Sequence, residues 1–326
     1  MMDEFIKRIF NANSESFEQL AIEVFRFQYQ QNLLYKLYVD ALKINADKIE
    51  TACQIPFLPI SLFKSHSIKT TSFDAEIIFE SSGTTQTINS KHHVKDFSLY
   101  AESFIKGFEK FYGPIKDWCI VGLLPSYLEI KNSSLIAMVD ALIKISGHPL
   151  SAFYLYEHEK LNEVLHELES QNQNSLLIGV TFALLDFAEE FPQRLKHTTV
   201  METGGMKGRR RELTRQETHE ILKKQLGVEV IHSEYGMTEL LSQAYSKGDG
   251  IFRSVPWMKM LVRNEEDPFD VYETGNGIIN IIDLANIYSC SFIATDDAGK
   301  IYDNGEFEIA GRVDNSDMRG CSLLVI

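Results

Sequence analysis

Ser81-Ser82-Gly83-Thr84-Thr85 sets four hydroxyls around one glycine, directly after the apolar run Ala75 to Phe79. Gly83 lets a backbone approach an anion closely. Successive N–H groups in such a turn form a nest, and the hydroxyls add donors. The same composition also suits a plain polar turn. The Walker pattern of a P-loop is absent. A second stretch, Glu234-Tyr-Gly-Met-Thr-Glu-Leu240, places an aromatic face (Tyr235), a hydroxyl (Thr238) and a carboxylate (Glu239) around Gly236. Such a set can stack on a base, touch a phosphate and hold Mg2+, which takes one or two protein carboxylates plus phosphate oxygens. Ordinary cap residues at a helix start have the same types. In Met201 to Leu213, Gly204-Gly205 permit a flat ligand against the backbone, and Lys207 with Arg209 to Arg211 supply positive charge or a solvated basic turn. Asp296, and further on Arg312 and Asp314, stand among Gly, Asn and Asp, where acids are usually solvated.

Elements of regular period must position these groups. Residues 1 to 56 read as helical up to about 50, with "SFEQLAIEVFRFQYQQNLLYKLYVDAL" apolar at helical spacing; Pro56 and Pro59 then break the pattern. Strand candidates "AEIIF", "WCIVGLL", "SAFYLY", "SLLIGV", "HTTVMET" and "VEVIHSEY" alternate with helical segments such as "FSLYAESFIKGFEKF", "SSLIAMVDALIKI", "HEKLNEVLHELES" and "TRQETHEILKKQL". That alternation predicts an α/β core over 57–245 with a largely parallel sheet. After Ser246 short runs split by Gly, Asn and Asp predict a smaller antiparallel β unit over 246–314, followed by an arm, 315–326. The apolar run Ser175 to Phe187 is too short to span a bilayer and reads as buried core.

Composition narrows the function classes. The chain has 326 residues, 44% hydrophobic, enough for a large core. With 32 Lys plus Arg against 46 Asp plus Glu the formal charge is −14, which excludes a general nucleic-acid binder. Cys53, Cys119, Cys290 and Cys321 are scattered with no metal-ligand spacing, so a reduced cytoplasm is expected. The N-terminus is acidic and amphipathic, unlike a signal peptide.

In order and spacing the four stretches resemble the adenylate-forming superfamily of acyl-CoA synthetases, luciferases and peptide-synthetase adenylation domains. Tyr235, Gly236, Thr238 and Glu239 match its Tyr-Gly-x-Thr-Glu motif, and Gly311, Arg312 and Asp314 its Gly-Arg-x-Asp motif. Val180-Thr181 resembles its Gly-Val-Pro-Thr segment without the proline. Gln86 replaces the usual glycine after the Thr pair, and Lys91 is the nearest stand-in for the loop lysine. Within the superfamily the chain is most similar to LuxE-type acyl-protein synthetases. "TGGMKG", "YGMTELLSQAY", an end 12 residues after Asp314 (326 − 314) and Cys321 near that end carry this likeness.

The resemblance implies a layered α/β domain with a small β subdomain, and no mobile C-terminal domain. It implies ATP and Mg2+ as cofactors and a fatty or other carboxylic acid as substrate. Ser81, Ser82, Gly83, Thr84 and Thr85 would form the phosphate loop, with Ser82, Thr84 and Thr85 on the β and γ phosphates. Tyr235 with Gly204-Gly205 would frame the adenine, Thr238 would meet the α-phosphate, Glu239 Mg2+, and Asp296 with Arg312 the ribose. Cys321 would take the acyl group, its thiolate favoured by Arg319, and hand it to an acyl reductase, an acyl carrier protein or CoA. From residue types alone, Cys321 equally suits a buried terminal strand, where it alternates with Leu323 and Val325. Cys53, Cys119 and Cys290 read as structural. The rival readings are a truncated acyl-CoA or aryl-CoA ligase and a non-catalytic relative that binds nucleotide or acyl carrier.

Overall fold

Residues 2–81, 88–125, 132–204 and 213–313 are described by the structure, a computed structural model. The predicted alternation becomes a run of parallel strands. Ala152–Phe153 pairs with Cys119–Leu123, which pairs with Ser175–Val180, then Thr198–Thr203, then His232–Tyr235. Cys119–Leu123 and Ser175–Val180 are buried at every residue. Covering on both faces explains why they read as continuous apolar runs rather than alternating ones. The crossovers are the helices Ser134–Ser146, His158–Ser170, Thr181–Glu190 and Arg215–Leu226. Their ends are written in the chain. Thr214 and Glu217 close a capping box at one start, and Gly147 and Gly227 end two helices at φ +65 and +62.

After Tyr235 the sheet changes direction. Ala244–Ser246 runs antiparallel to His232–Tyr235. Phe252–Ser254, Phe307–Arg312, Phe292–Ile301, Gly275–Asp283 and Met258–Arg263 continue the antiparallel half. Among the described residues thirteen strands share this one sheet. The direction changes between Tyr235 and Ala244, within one continuous sheet. The segment 236–243 is the corner between the two halves.

Two smaller pieces brace that corner. The N-terminal helix Phe17–Gln31 presents Gln28, whose amide donates to the Asn286 and Ile287 carbonyls at 3.1 and 2.9 Å and accepts the Ser291 N–H at 2.9 Å. Asn32 divides the predicted long helix, because its side chain accepts the Tyr35 N–H and starts Leu33–Ala41 anew. The second piece is a separate hairpin, Ile77–Glu80 with Lys91–Val94. The sequence reading anticipates its first strand but not its second.

Candidate active site

The hairpin carries the hydroxyl-rich loop at its tip. Ser81 and Ser90 close the base of that loop: the Ser81 N–H donates to the Ser90 carbonyl at 3.1 Å, and the Ser90 N–H to Ser81 Oγ at 2.9 Å. Ser82, Gly83, Thr84 and Thr85 lie outside the described residues. Lys91 sits across from Glu80, 3.7 Å from its carboxylate, on the exposed side of the hairpin. His92 points the other way and is 1% exposed. Its Nδ1 donates to the Thr238 carbonyl at 2.8 Å, and its Nε2 lies 2.9 Å from Asn286 Oδ1. Burial pushes its pKa down to about 4, while the two oxygens facing its ring nitrogens act the other way. Thus the hairpin and the Tyr-Gly-Met-Thr-Glu corner are joined through one imidazole, between residues 146 positions apart.

Asn286 and Asp283 also hold the corner. Asn286 Nδ2 donates to the Glu239 carbonyl at 2.7 Å and to that of Cys290 at 2.9 Å. Asp283, fully buried, accepts the Leu241 and Ser242 N–H groups at 2.8 and 3.0 Å and the Ser242 hydroxyl at 2.6 Å. The Glu239 carboxyl is 5% exposed. Burial raises its pKa, while the Ser90 hydroxyl and the charges of Arg312 and Lys64 act the other way. A buried carboxyl facing hydroxyl and cationic groups is a fitting metal ligand once phosphates arrive. Among the described residues no three His, Cys, Asp or Glu side chains converge, so a divalent ion here would share Glu239 with oxygens from outside the protein.

Beside the corner a second group forms. Tyr235 donates its hydroxyl to Asp297 Oδ2 at 2.7 Å, and Arg312 Nε lies 3.3 Å from Asp297 Oδ1. The Tyr235 ring stands edge-on to Phe252 and Phe307 at 6.0 and 5.9 Å. Asp297 is 6% exposed, whereas Asp296 is exposed, since neighbours on a strand face opposite sides. Asp296 stays apart from Tyr235 and Arg312 except through its carbonyl, which accepts the Val313 N–H at 2.8 Å. The structure brings Asp297 to the place where the sequence reading expected Asp296.

Gly204 ends its strand at φ +69 with nothing within 4 Å of where a Cβ would sit. This is a left-handed turn with open space beside it. Its carbonyl accepts from Thr181 Oγ1 at 2.7 Å, and the same hydroxyl lies 2.9 Å from Glu202 Oε2. Thr181, Gly204 and Gly236 all follow the carboxyl ends of parallel strands, where open α/β sheets bind ligands. Gly205, Lys207, Arg319 and Cys321 lie outside the described residues, as does Asp314.

The described cysteines are poor nucleophiles. Burial raises the thiols of Cys119 to about 11 and Cys290 to about 12, and that of Cys53 also upward. A groove of about 570 Å³ near Asn13, Arg253 and the 302–306 turn shares no residue with the site. His92, Asp283, Asn286 and Asp297 are the site's members that the sequence reading missed. Period-2 alternation gave a partial signal for Asp297. The other three are visible only through tertiary contact.

Comparison with solved structures finds the same fold in acyl-activating ligases. ATP-bound MatB from Rhodopseudomonas palustris superposes with a TM-score of 0.54 at 16% identity, over 84% of this chain and 52% of that one. 2-Hydroxyisobutyryl-CoA ligase in its postadenylation state gives 0.66 at 10% identity, over 94% and 70%. The long-chain-fatty-acid-CoA ligase FadD1 from Archaeoglobus fulgidus gives 0.50 at 17% identity, over 74% and 52%. The chain spans about half the length of MatB and FadD1. No curated protein matches it in sequence. The family model of the LuxE acyl-protein synthetases matches residues 7–326, and the chain belongs to that family.

Proposed function

We propose that the protein activates a carboxylic acid with ATP and passes the acyl group to its own Cys321. The observation that carries the first half is the junction at the corner: His92 ties the loop-bearing hairpin to Thr238, and Ser90 faces Glu239. It sets hydroxyl donors, a carboxylate and Arg312 around one point at the strand ends. In the first step the acid's carboxylate oxygen bonds to the α-phosphorus of ATP and the bond to the β-phosphate oxygen breaks, releasing pyrophosphate. Little covalent work falls to the protein; its part is positioning and charge neutralisation. Ser82, Gly83, Thr84 and Thr85, with Lys207, would hold the β and γ phosphates, Ser81 stapling the loop base. Thr238 would meet the α-phosphate. Tyr235 and Gly204-Gly205 would frame the adenine. Asp297, already paired with Arg312, takes the ribose role in place of Asp296. Mg2+, held by Glu239, would neutralise developing charge on the phosphates.

In the second step the Cys321 thiolate would bond to the acyl carbon and AMP would leave, giving a thioester. The high thiol pKa values of Cys119 and Cys290 support a carrier elsewhere in the chain. The thioester would then serve a partner: an acyl reductase, an acyl carrier protein or CoA. Among the described residues no helix is long and apolar enough to cross a membrane.

Pyrophosphate release from ATP and a panel of carboxylic acids tests the first step. The wild type is expected to release it. Glu239→Gln is expected to lose most of the rate while keeping the fold, with partial recovery at raised Mg2+. Full activity of Glu239→Gln at ordinary Mg2+ would remove the metal role.

A further inference from the structure

Tyr235 and Glu234 face opposite sides of one strand. Tyr235 looks toward Asp297, the nucleotide side. Glu234 looks toward the helix Phe97–Tyr112, in a row with Thr203 on one neighbouring strand and Tyr245 on the other. On that side two buried polar atoms have no partner among the described residues, and the half-buried Glu234 carboxylate has one described donor. Among the described residues only Thr203 donates to Glu234, through Oε2. Glu234 Oε1 lies where a Cβ on Gly236 would come within 2.5 Å, so it is turned toward the corner itself. Gln243 is 5% exposed and Tyr245 2% exposed, yet Gln243 Oε1 and the Tyr245 hydroxyl have no hydrogen-bond partner among the described residues.

The Gln243 orientation is fixed. Tyr100 donates its hydroxyl to the Ser134 carbonyl at 3.0 Å, so its oxygen is free to accept from the Gln243 amide. Turning the amide over would set an acceptor against that oxygen. Gln243 Oε1 is therefore an acceptor, and so is Glu234 Oε1. Buried polar groups almost always find partners, and each one left bare is costly. A bare amide oxygen, a carboxylate oxygen and a bare phenol beside the corner call for a partner supplied from outside, and the two acceptors among them call for a donor. Burial, together with the charge of Glu202, pushes the Glu234 pKa up to about 7 against the Thr203 hydrogen bond, as expected of a carboxyl lacking its counter-group.

The direction of the substrate follows. Its carboxylate must reach the α-phosphate near Thr238, so the carbons behind that carboxylate pass Gly236 and meet Glu234 and Gln243. We propose that Glu234, Gln243 and Tyr245 form a specificity subsite for an acid carrying a hydrogen-bond donor, amino or hydroxyl, close to its carboxylate, in preference to an unsubstituted fatty acid. This rests on the acid-activating reading above and adds the substrate class to it. A site built to bond a donor rejects the analogue lacking it, because its own acceptors are then left unpaired.

The test measures pyrophosphate release by the full chain with butanoate, its 2- and 3-hydroxy forms and its 2- and 3-amino forms, repeated with hexanoate and its counterparts. At least one substituted acid is expected to exceed its unsubstituted parent tenfold or more in kcat/KM, and the amino and hydroxy arms identify the donor. Glu234→Gln is expected to shrink that ratio tenfold or more, and Gln243→Leu to shrink it as well. Tyr245→Phe, which deletes one oxygen and keeps the ring, gives a second reading should either variant fail to fold. If the unsubstituted acids are the best substrates and the ratio does not move in Tyr245→Phe or Glu234→Gln, the bare atoms hold a bridging water only. The inference is then overturned while acid activation stands. Absence of pyrophosphate release with every acid overturns the activation reading and the subsite with it.

Discussion

Glu202 and Glu234 occupy adjacent parallel strands, Glu202 opposite Ser233 and Glu234 opposite Thr203. Glu202 is 8% exposed and surrounded: Ser233 donates at 2.8 Å, the Thr181 hydroxyl, shared with the Gly204 carbonyl, lies at 2.9 Å, and His219 and Arg215 stand at 3.6 Å. Burial pushes its pKa up, but those hydrogen bonds and the Arg215 charge outweigh it, and the net shift is downward. Glu234 has one described donor and a pKa raised to about 7. The same chemistry, buried at Glu202 and half-buried at Glu234, thus ends in opposite shifts because Glu202 has more partners. The Glu202 network also reaches the Gly204 turn through Thr181.

The strongest test of the contrast is Glu202→Ala. It leaves the Arg215 and His219 groups and two hydroxyls facing a hole, and a loss of about 3 kcal/mol or more in urea unfolding is expected. A loss under about 1 kcal/mol would mean that the network does not hold the fold.

A smaller effect follows from pH. The folded-state pKa of Glu234, about 7, lies above its ordinary value of 4.5, so its favourable share of stability is present below 4.5 and is lost as pH rises through 7. Glu234→Gln is therefore expected to gain on the wild type between pH 5 and pH 8, by on the order of 2 kcal/mol. Asp283, raised to about 6 by burial, acts in the same sense in both proteins. His92 and His232, both lowered to about 4 by burial, lose stability as pH falls below 6.5, also in both. The difference between the two unfolding profiles isolates Glu234, and parallel profiles would show that it is ionised throughout.

The smallest effects come from single hydroxyls. Ser233→Ala takes one donor from the well-supplied Glu202 and is expected to cost about 1 kcal/mol in the same assay. Thr203→Val takes the one described donor from Glu234 and is expected to shift its titration further upward, read by the pH dependence of unfolding.

The sequence made the parallel half legible because Cys119–Leu123 and Ser175–Val180 are covered on both faces and two of the crossover helices, Ser134–Ser146 and Arg215–Leu226, carry their own caps. The corner was legible as a motif, since Tyr235, Gly236, Thr238 and Glu239 are contiguous. What holds the corner was not. His92 belongs to a short strand whose partner is the sheet-remote Ile77–Glu80, and nothing local marks it as touching Thr238. Asp283 and Asn286 lie in "IIDLAN", which looks like an ordinary strand end, yet they hold four backbone groups of the corner and its flank. Asp296 and Asp297 were a choice between adjacent acids, and only the facing of the strand decides it. The helix Thr181–Glu190 hid within one apolar run, where period cannot separate buried strand from buried helix.

The central claim is that activation and acyl transfer use different parts of the chain, and Cys321→Ser separates them. Adenylate formation needs the corner and no thiol; self-acylation needs both. The variant's hydroxyl is far too basic to replace a thiolate at neutral pH. Given ATP and its acid, Cys321→Ser is expected to release pyrophosphate yet carry no hydroxylamine-sensitive acyl label, while the wild type carries one label per chain. Equal labelling of both proteins would contradict the account at its central residue and move the acyl acceptor to another group or to CoA.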